Sequence, residues 1–383
     1  MTDFIPLSVP FINGNEWKYV KECLDTGWIS SAGKYVDLFE RKIEEYTGAK
    51  HAVAVMNGTA AIHLSLLLSE VTNKDCVIVP SLTFVATANA VAYTGAEPIF
   101  IDSKLDDWQM DLALLREYLQ ENCYAENGET FRKKDKKRVA AIVPVHIQGG
   151  IGEIEKLISI AKEFNLKVVE DSAEALGSKK NGVSAGRFGA LGCFSFNGNK
   201  IISSGGGGMI VTNDSELAKR AKHLSTTAKV DPLNYYHDEV GYNYRMVNVL
   251  AAIGVAQLEK LDEYVALKQT IGDRYRKELE GIGDISFQAI DKGVDYNNWL
   301  FTISTSKQKE LVTYLNDHKI MSRPFWMPMH LLPMYADKEY FTHENNAEEI
   351  YNNSLAIPCS PNLTQEEQER VIQAIQRFFT EIN

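Results

Sequence analysis

Short apolar runs and longer amphipathic stretches alternate along the first two-thirds of the chain. Residues 52–56 (AVAVM), 76–79 (CVIV), 98–101 (PIFI), 139–145 (VAAIVPV) and 166–170 (LKVVE) are almost wholly apolar. Runs this short read as strands buried on both faces. Between them, 59–69, 83–93, 111–120 and 152–164 carry a helical period. In the last, Ile154, Leu157, Ile158 and Ala161 recur on one face. The alternation predicts an α/β layer on a largely parallel sheet. In such sheets ligands collect at the carboxyl ends of the strands.

After about residue 215 the pattern changes. Residues 245–282 read as a long helical region broken near Gly272. Short strands follow at 298–304 and 319–325, and helices at 306–317 and 364–379. The expected organisation is a large α/β domain over 1–250 and a smaller α+β domain over 251–383. The polar stretch 121–137 (ENCYAENGETFRKKDKK) reads as a solvated loop.

Charge narrows the partners. Forty basic against 51 acidic side chains leave a net charge of −11, which disfavours a nucleic-acid or anionic-membrane binder. No run of about 18 apolar residues is present, so no spanning helix is expected. The start, Met1 to Pro6, has no basic or long apolar stretch, and the reading is that of no signal peptide. The five cysteines are far apart and form no C-x-x-C pair. Neither a disulfide framework nor a metal site is expected, and a reduced, cytoplasmic protein is.

Two glycine-rich stretches imitate nucleotide motifs. Gly27 to Tyr35 nearly spells a P-loop, but the spacing is one residue too long and Tyr35 replaces the required Ser or Thr. Gly205 to Gly208 lacks the G-x-G-x-x-G spacing of a dinucleotide site.

Four other features fit one cofactor. Strand 52–56 ends in Asn57-Gly58-Thr59, where a glycine and the start of a helix can hold a phosphate. A plain glycine turn with a threonine cap has the same sequence. Strand 166–170 leads into Asp171 and Glu174. A carboxylate there can keep a pyridine nitrogen protonated, or can simply open a helix. Ser195 and Lys200 follow a further expected strand. A lysine in a cleft can form a Schiff base and carry a proton, although most lysines are surface residues. Phe84 follows strand 76–79 and can stack on a ring or fill the core. Together these are the parts of a pyridoxal 5′-phosphate site.

The chain also resembles the DegT/DnrJ/StrS sugar aminotransferases over nearly its whole length. The resemblance rests on Cys23–Ser31 (CLDTGWISS), Phe39-Glu40, Asn57–Ala61 (NGTAA), Thr83–Thr87 (TFVAT), Val145-His146, Glu170–Gly177 (EDSAEALG), Ser195-Phe196 with Lys200, and Gly241–Met246 (GYNYRM). It implies the pyridoxal-phosphate fold type I, with Lys200 as the cofactor-bearing lysine and Asp171 as the partner of the ring nitrogen. Gly58, Thr59 and Ser195 align with phosphate ligands, and Phe84 with the stacking aromatic. Glu174 stands where many members have glutamine or histidine. Asn243 aligns with an asparagine that reaches the neighbouring subunit's phosphate, which implies a homodimer with shared sites. Trp28, Ile29 and Ser30 border the sugar by resemblance. Tyr296, Arg323 and His330 are further substrate candidates, and Arg245 is one for the donor's carboxylates.

Gly14–Val20 (GNEWKYV), Ser195–Ile202 (SFNGNKII), His237–Tyr242 (HDEVGY) and Arg323–Trp326 (RPFW) resemble the LegC-type and bacillosamine-pathway branch. That branch moves the amino group of L-glutamate to C4 of a UDP-linked 4-keto-6-deoxy sugar. GDP-perosamine synthases share several of these motifs, and 3-keto sugar aminotransferases are a further alternative. A non-catalytic nucleotide-sugar-binding protein needs neither Lys200 nor Asp171.

Overall fold

In the computed structural model the described residues are 4–231 and 233–382. Met1, Thr2 and Asp3, which open the stretch weighed as a leader, lie outside them. The main sheet runs in the order His51–Val55, Gly208–Thr212, Leu191–Ser195, Lys167–Asp171, Arg138–Ile142, Asp75–Pro80, Glu97–Ile101 and Tyr340–Phe341. Only Gly208–Thr212 runs antiparallel to its neighbours in this row. All five apolar runs are strands of this sheet. The fourth is shorter than expected and stops at Ile142, ahead of Pro144. The fold is the α/β, mostly parallel class that the alternation predicts.

Helices Gly58–Leu68, Val85–Tyr93, Leu112–Asn122 and Ile154–Glu163 cover the sheet near the expected positions. Gly58–Leu68 is apolar on nearly every side because other elements surround it.

A second core lies around a four-stranded sheet of Ser286–Phe287, Phe301–Ser304, Ser354–Ile357 and Arg323–Pro324. The N-terminal Ile5 belongs to this core and bridges to Ile320. Tyr340–Phe341, in contrast, pairs with Glu97–Ile101 at the edge of the main sheet. The chain therefore crosses between the two cores at both places.

Two expectations need correction. Residues 121–137 are not a bare loop: Cys123–Glu126 and Glu129–Arg132 form a hairpin. The buried Arg132 guanidinium anchors it to Glu97, Asp135 and Glu339. The long helical region breaks at Glu259-Lys260, between helices Asn248–Leu258 and Leu261–Leu279, and not at Gly272. Gly272 stays inside its helix, where a Cβ would lie 2.7 Å from the Asn298 side chain. Among the described residues no helix is long and apolar enough to cross a membrane. All five cysteines are free and buried.

Candidate active site

The carboxyl ends of the central strands open into a cleft of about 320 Å³. Its lining includes Gly58, Thr59, Phe84, Asp171, Glu174, Ser195 and Lys200. Residues that are far apart in sequence meet here because parallel strands deliver their ends to one side of the sheet.

At one side the backbone is packed too closely for side chains. A Cβ on Gly58 would lie 2.8 Å from the Ser195 Cβ. One on Gly208 would lie 2.4 Å from the Asn57 carbonyl oxygen. The glycine run at 205–208 thus lets one strand lie against the start of helix Gly58–Leu68. Asn57, not Thr59, caps that helix, its side chain accepting the Ala60 N–H at 2.8 Å.

Asp171 is buried at the end of its strand. Its Oδ2 accepts from the Thr87 hydroxyl at 2.7 Å, and its Oδ1 from the Ala173 N–H at 3.1 Å. Burial raises its pKa, against the pull of Thr87, Ala173, Lys200 and His146. A cationic ring nitrogen would favour its ionised form. The neighbouring Glu170 is wholly committed: it accepts the N–H groups of Gly186, Phe188 and Gly189 and contacts His146 Nε2 at 2.8 Å.

Lys200 lies in a turn after strand Leu191–Ser195, its N–H bonded to the Asn197 carbonyl. Its Nζ is 3.7 Å from Glu174 and 3.9 Å from the centre of the Trp299 ring. Burial lowers the pKa of the amine, while Glu174 and Asp171 pull it up. Burial pushes Glu174 up to about 7, against Lys200 and the Gln148 N–H that it accepts at 2.7 Å. Burial thus moves both groups toward neutrality, the amine downward and the carboxyl upward, which draws their pKa values together and favours proton exchange between them.

Phe84 is half exposed at the mouth, edge-on to Trp326 with ring centres 6.0 Å apart. Trp326 in turn stacks on Trp299. These residues fit pyridoxal phosphate: a glycine cup at a helix start for the phosphate, a buried carboxylate for the ring nitrogen, and a lysine for the aldehyde.

The substrate candidates are scattered. Arg245 is buried away from the cleft and paired with Glu40, so it does not read a donor carboxylate. His330 is held by Ser81 at 2.6 Å and Glu348 at 3.2 Å, outside the cleft lining. Tyr296 is buried against Gln288, and Arg323 is exposed on its short strand; neither lines the cleft. Trp28, Ile29 and Ser30 are exposed, and Trp28 lines a different pocket beside Tyr35 and Asn248. Asn243 is exposed, bridges to Thr226 and is also absent from the lining.

Thr87, Trp299 and Trp326 escaped the residue-level reading. Thr87 and Trp326 were within the quoted TFVAT and RPFW stretches. Trp299 had no such signal.

The pattern of the DegT/DnrJ/EryC1/StrS aminotransferase family matches residues 10–376. The chain is 39% identical to the GDP-perosamine synthase of Escherichia coli O157:H7, covering 99% of each. It is 37% identical to the GDP-perosamine synthase of Vibrio cholerae, covering 98% of this chain and 99% of that one. A solved DegT DnrJ EryC1 StrS aminotransferase from Brucella abortus superimposes with a TM-score of 0.89, at 27% identity and 95% coverage of both chains. The chain belongs to the DegT/DnrJ/EryC1/StrS aminotransferase family, a sugar aminotransferase whose cofactor is pyridoxal 5′-phosphate.

Proposed function

We propose that this enzyme moves the amino group of L-glutamate to C4 of a nucleotide-linked 4-keto-6-deoxy sugar. The sugar is UDP-2-acetamido-2,6-dideoxy-hexos-4-ulose, and the product serves cell-surface glycan synthesis in the cytoplasm. The observation that carries the reaction type is the convergence of Lys200, Asp171 and the Gly58–Ser195 cup in one cleft.

Bound pyridoxal phosphate supplies an electron sink for the carbanion at the substrate carbon. Gly58, Thr59 and Ser195 would hold the phosphate, and Phe84 would face the ring. Asp171 keeps the ring nitrogen protonated. Lys200 Nζ, freed by the arriving donor, takes the proton from the α-carbon of glutamate. That proton would be handed on to the bound cofactor, and in the second half-reaction Lys200 would carry one back from it to C4 of the sugar. Glu174 lies 3.7 Å from that amine.

Asn243, Trp28, Ile29 and Ser30 are exposed and outside their own chain's cleft. That supports a homodimer in which they serve the partner's site. The division into domains at 250/251 is part of the same reading.

The UDP choice rests on the GNEWKYV, SFNGNKII, HDEVGY and RPFW stretches. A second reading, a GDP-linked 4-keto sugar, is favoured by the names of the two relatives. The test supplies glutamate with UDP-, dTDP- and GDP-linked 4-keto sugars and identifies aminated products by mass. Amination of the UDP sugar alone supports the first reading, and of the GDP sugar alone the second. NMR of the product fixes the position and stereochemistry. Borohydride should bleach the visible absorbance and leave the cofactor on Lys200; a colourless protein that takes up no pyridoxal phosphate overturns the site.

A further inference from the structure

We infer that Trp299 is a positioning residue for this reaction: its indole face carries the Lys200 ammonium whenever that amine is free. The inference rests on the reading of Lys200 as proton carrier. After taking a proton, Lys200 is a cation in a buried cleft, where an unpaired charge is costly. Glu174 gives it one partner at 3.7 Å, and the ring of Trp299, centred 3.9 Å from Nζ, gives it a second. That distance is well inside the range of a cation–π contact.

One contact holds the ring and two hold the backbone that carries it. Its Nε1–H donates to the carbonyl of Asn199, the residue before Lys200, at 2.6 Å. Its backbone N–H donates to Asn297 Oδ1 at 3.0 Å. Its carbonyl accepts from the buried Lys268 ammonium at 2.9 Å. Trp299 is itself buried, packed in the core of the four-stranded sheet. A rigid indole is thus presented by one core to a lysine presented by the other. The charged groups facing Lys200 are Glu174 and Asp171; His146 acts on Asp171, and the Tyr296 phenol feels Glu174. All of them remain when only Trp299 is changed.

The test is competitive acetylation of the full chain freed of cofactor. A trace of acetic anhydride is applied across a range of pH, and labelling of Lys200 is read by peptide mass against exposed Lys219. Trp299→Leu should lower the Lys200 midpoint by about 0.5–1 pH unit, and Trp299→Phe by less, since it keeps a π-face. A midpoint that stays or rises in Trp299→Leu overturns the inference, because admitting water alone raises it. Equal falls in both variants also overturn it, since the Nε1–H tether would then be what matters. Should Trp299→Leu not fold, fluorinated tryptophan in the wild-type chain keeps the shape and weakens the π-face. The midpoint should again fall, and no fall overturns the inference. Borohydride trapping on Lys200 tests the underlying reading separately. Trapping with an unmoved midpoint removes only the role of Trp299.

Discussion

The hydroxyl of Thr87 donates to Asp171 Oδ2 at 2.7 Å, from helix Val85–Tyr93 to the end of strand Lys167–Asp171. Asp171 is thereby held in one orientation, with its Oδ1 taken by the Ala173 N–H. Thr87 itself lies 3.0 Å from the Thr83 hydroxyl. Thr87→Val should keep the shape and lose the donor. The cost is about 1–3 kcal/mol for a buried acceptor left short of a partner. The Asp171 pKa should rise further, and cofactor affinity should fall. Absorbance titration with pyridoxal phosphate and thermal melting check both; unchanged affinity would count against the orienting role.

Gly58→Ala places a Cβ 2.8 Å from the Ser195 Cβ. Overpacking of this kind costs about 1–3 kcal/mol, so cofactor affinity should fall about tenfold. Ser195→Gly in the same chain should relieve the clash and recover part of the thermal stability of the cofactor-free chain, where the loss of Ser195 as a phosphate ligand plays no part. A double variant no better than the single one would show that the loss has another cause.

Glu174 carries a pH signature. Its folded-state pKa is raised from 4.5 to about 7, so the fold favours its protonated form. That contribution is full below about pH 4.5 and is lost as pH rises through about 7. Glu174→Gln cannot ionise. Its stability relative to wild type should grow between those limits and then level, by at most about 3 kcal/mol. Urea unfolding of the cofactor-free chain at both ends of the window measures this. A difference independent of pH would refute the assignment.

Arg245 and Glu40 form a buried ion pair beside strand His51–Val55, with the Ala54 N–H bonded to Glu40 and the Ala54 carbonyl to Arg245. Arg245→Ala leaves Glu40 with only the more distant, half-exposed Lys222 ammonium at 3.9 Å and should cost up to about 3–5 kcal/mol. The KM for glutamate of the enzyme that remains folded should not move. A selective rise in that KM would restore the donor-binding role.

Asn243 belongs to the partner's site in the proposed dimer. Co-expressed Asn243→Ala and Lys200→Ala chains should form mixed dimers in which one site carries both defects and the other neither. Activity should exceed that of either variant alone. Its absence, with mixed dimers demonstrated by mass, would argue against shared sites.

The central strands were legible because a parallel sheet covered on both faces needs unbroken apolar runs, and LKVVE or CVIV have little other use. The hairpin at 123–132 was not, because its strands are largely polar. It is held by the ion pairs of Arg132, whose partners Glu97 and Glu339 are far away in sequence. Strand Gly208–Thr212 hid behind its own glycines. Gly272 looked like a break because glycine weakens a helix, yet the closeness of Asn298 accounts for it.

Sequence by itself determined the α/β class and the cofactor, and it singled out Lys200, Asp171, Gly58 and Ser195, which line one cleft and for which the cofactor-binding roles are proposed. Their chemistry requires particular residue types at strand ends, and strand ends are visible in the apolar pattern. Only the tertiary structure decided which long-range neighbours complete them. Thr87 reaches Asp171 across 84 positions and Trp299 reaches Asn199 across 100. It also withdrew Arg245 from the site, since a buried partner 205 residues away occupies its guanidinium. Local propensity and periodicity act over a few residues, whereas the pairing of buried charges and rings is set by which elements pack together.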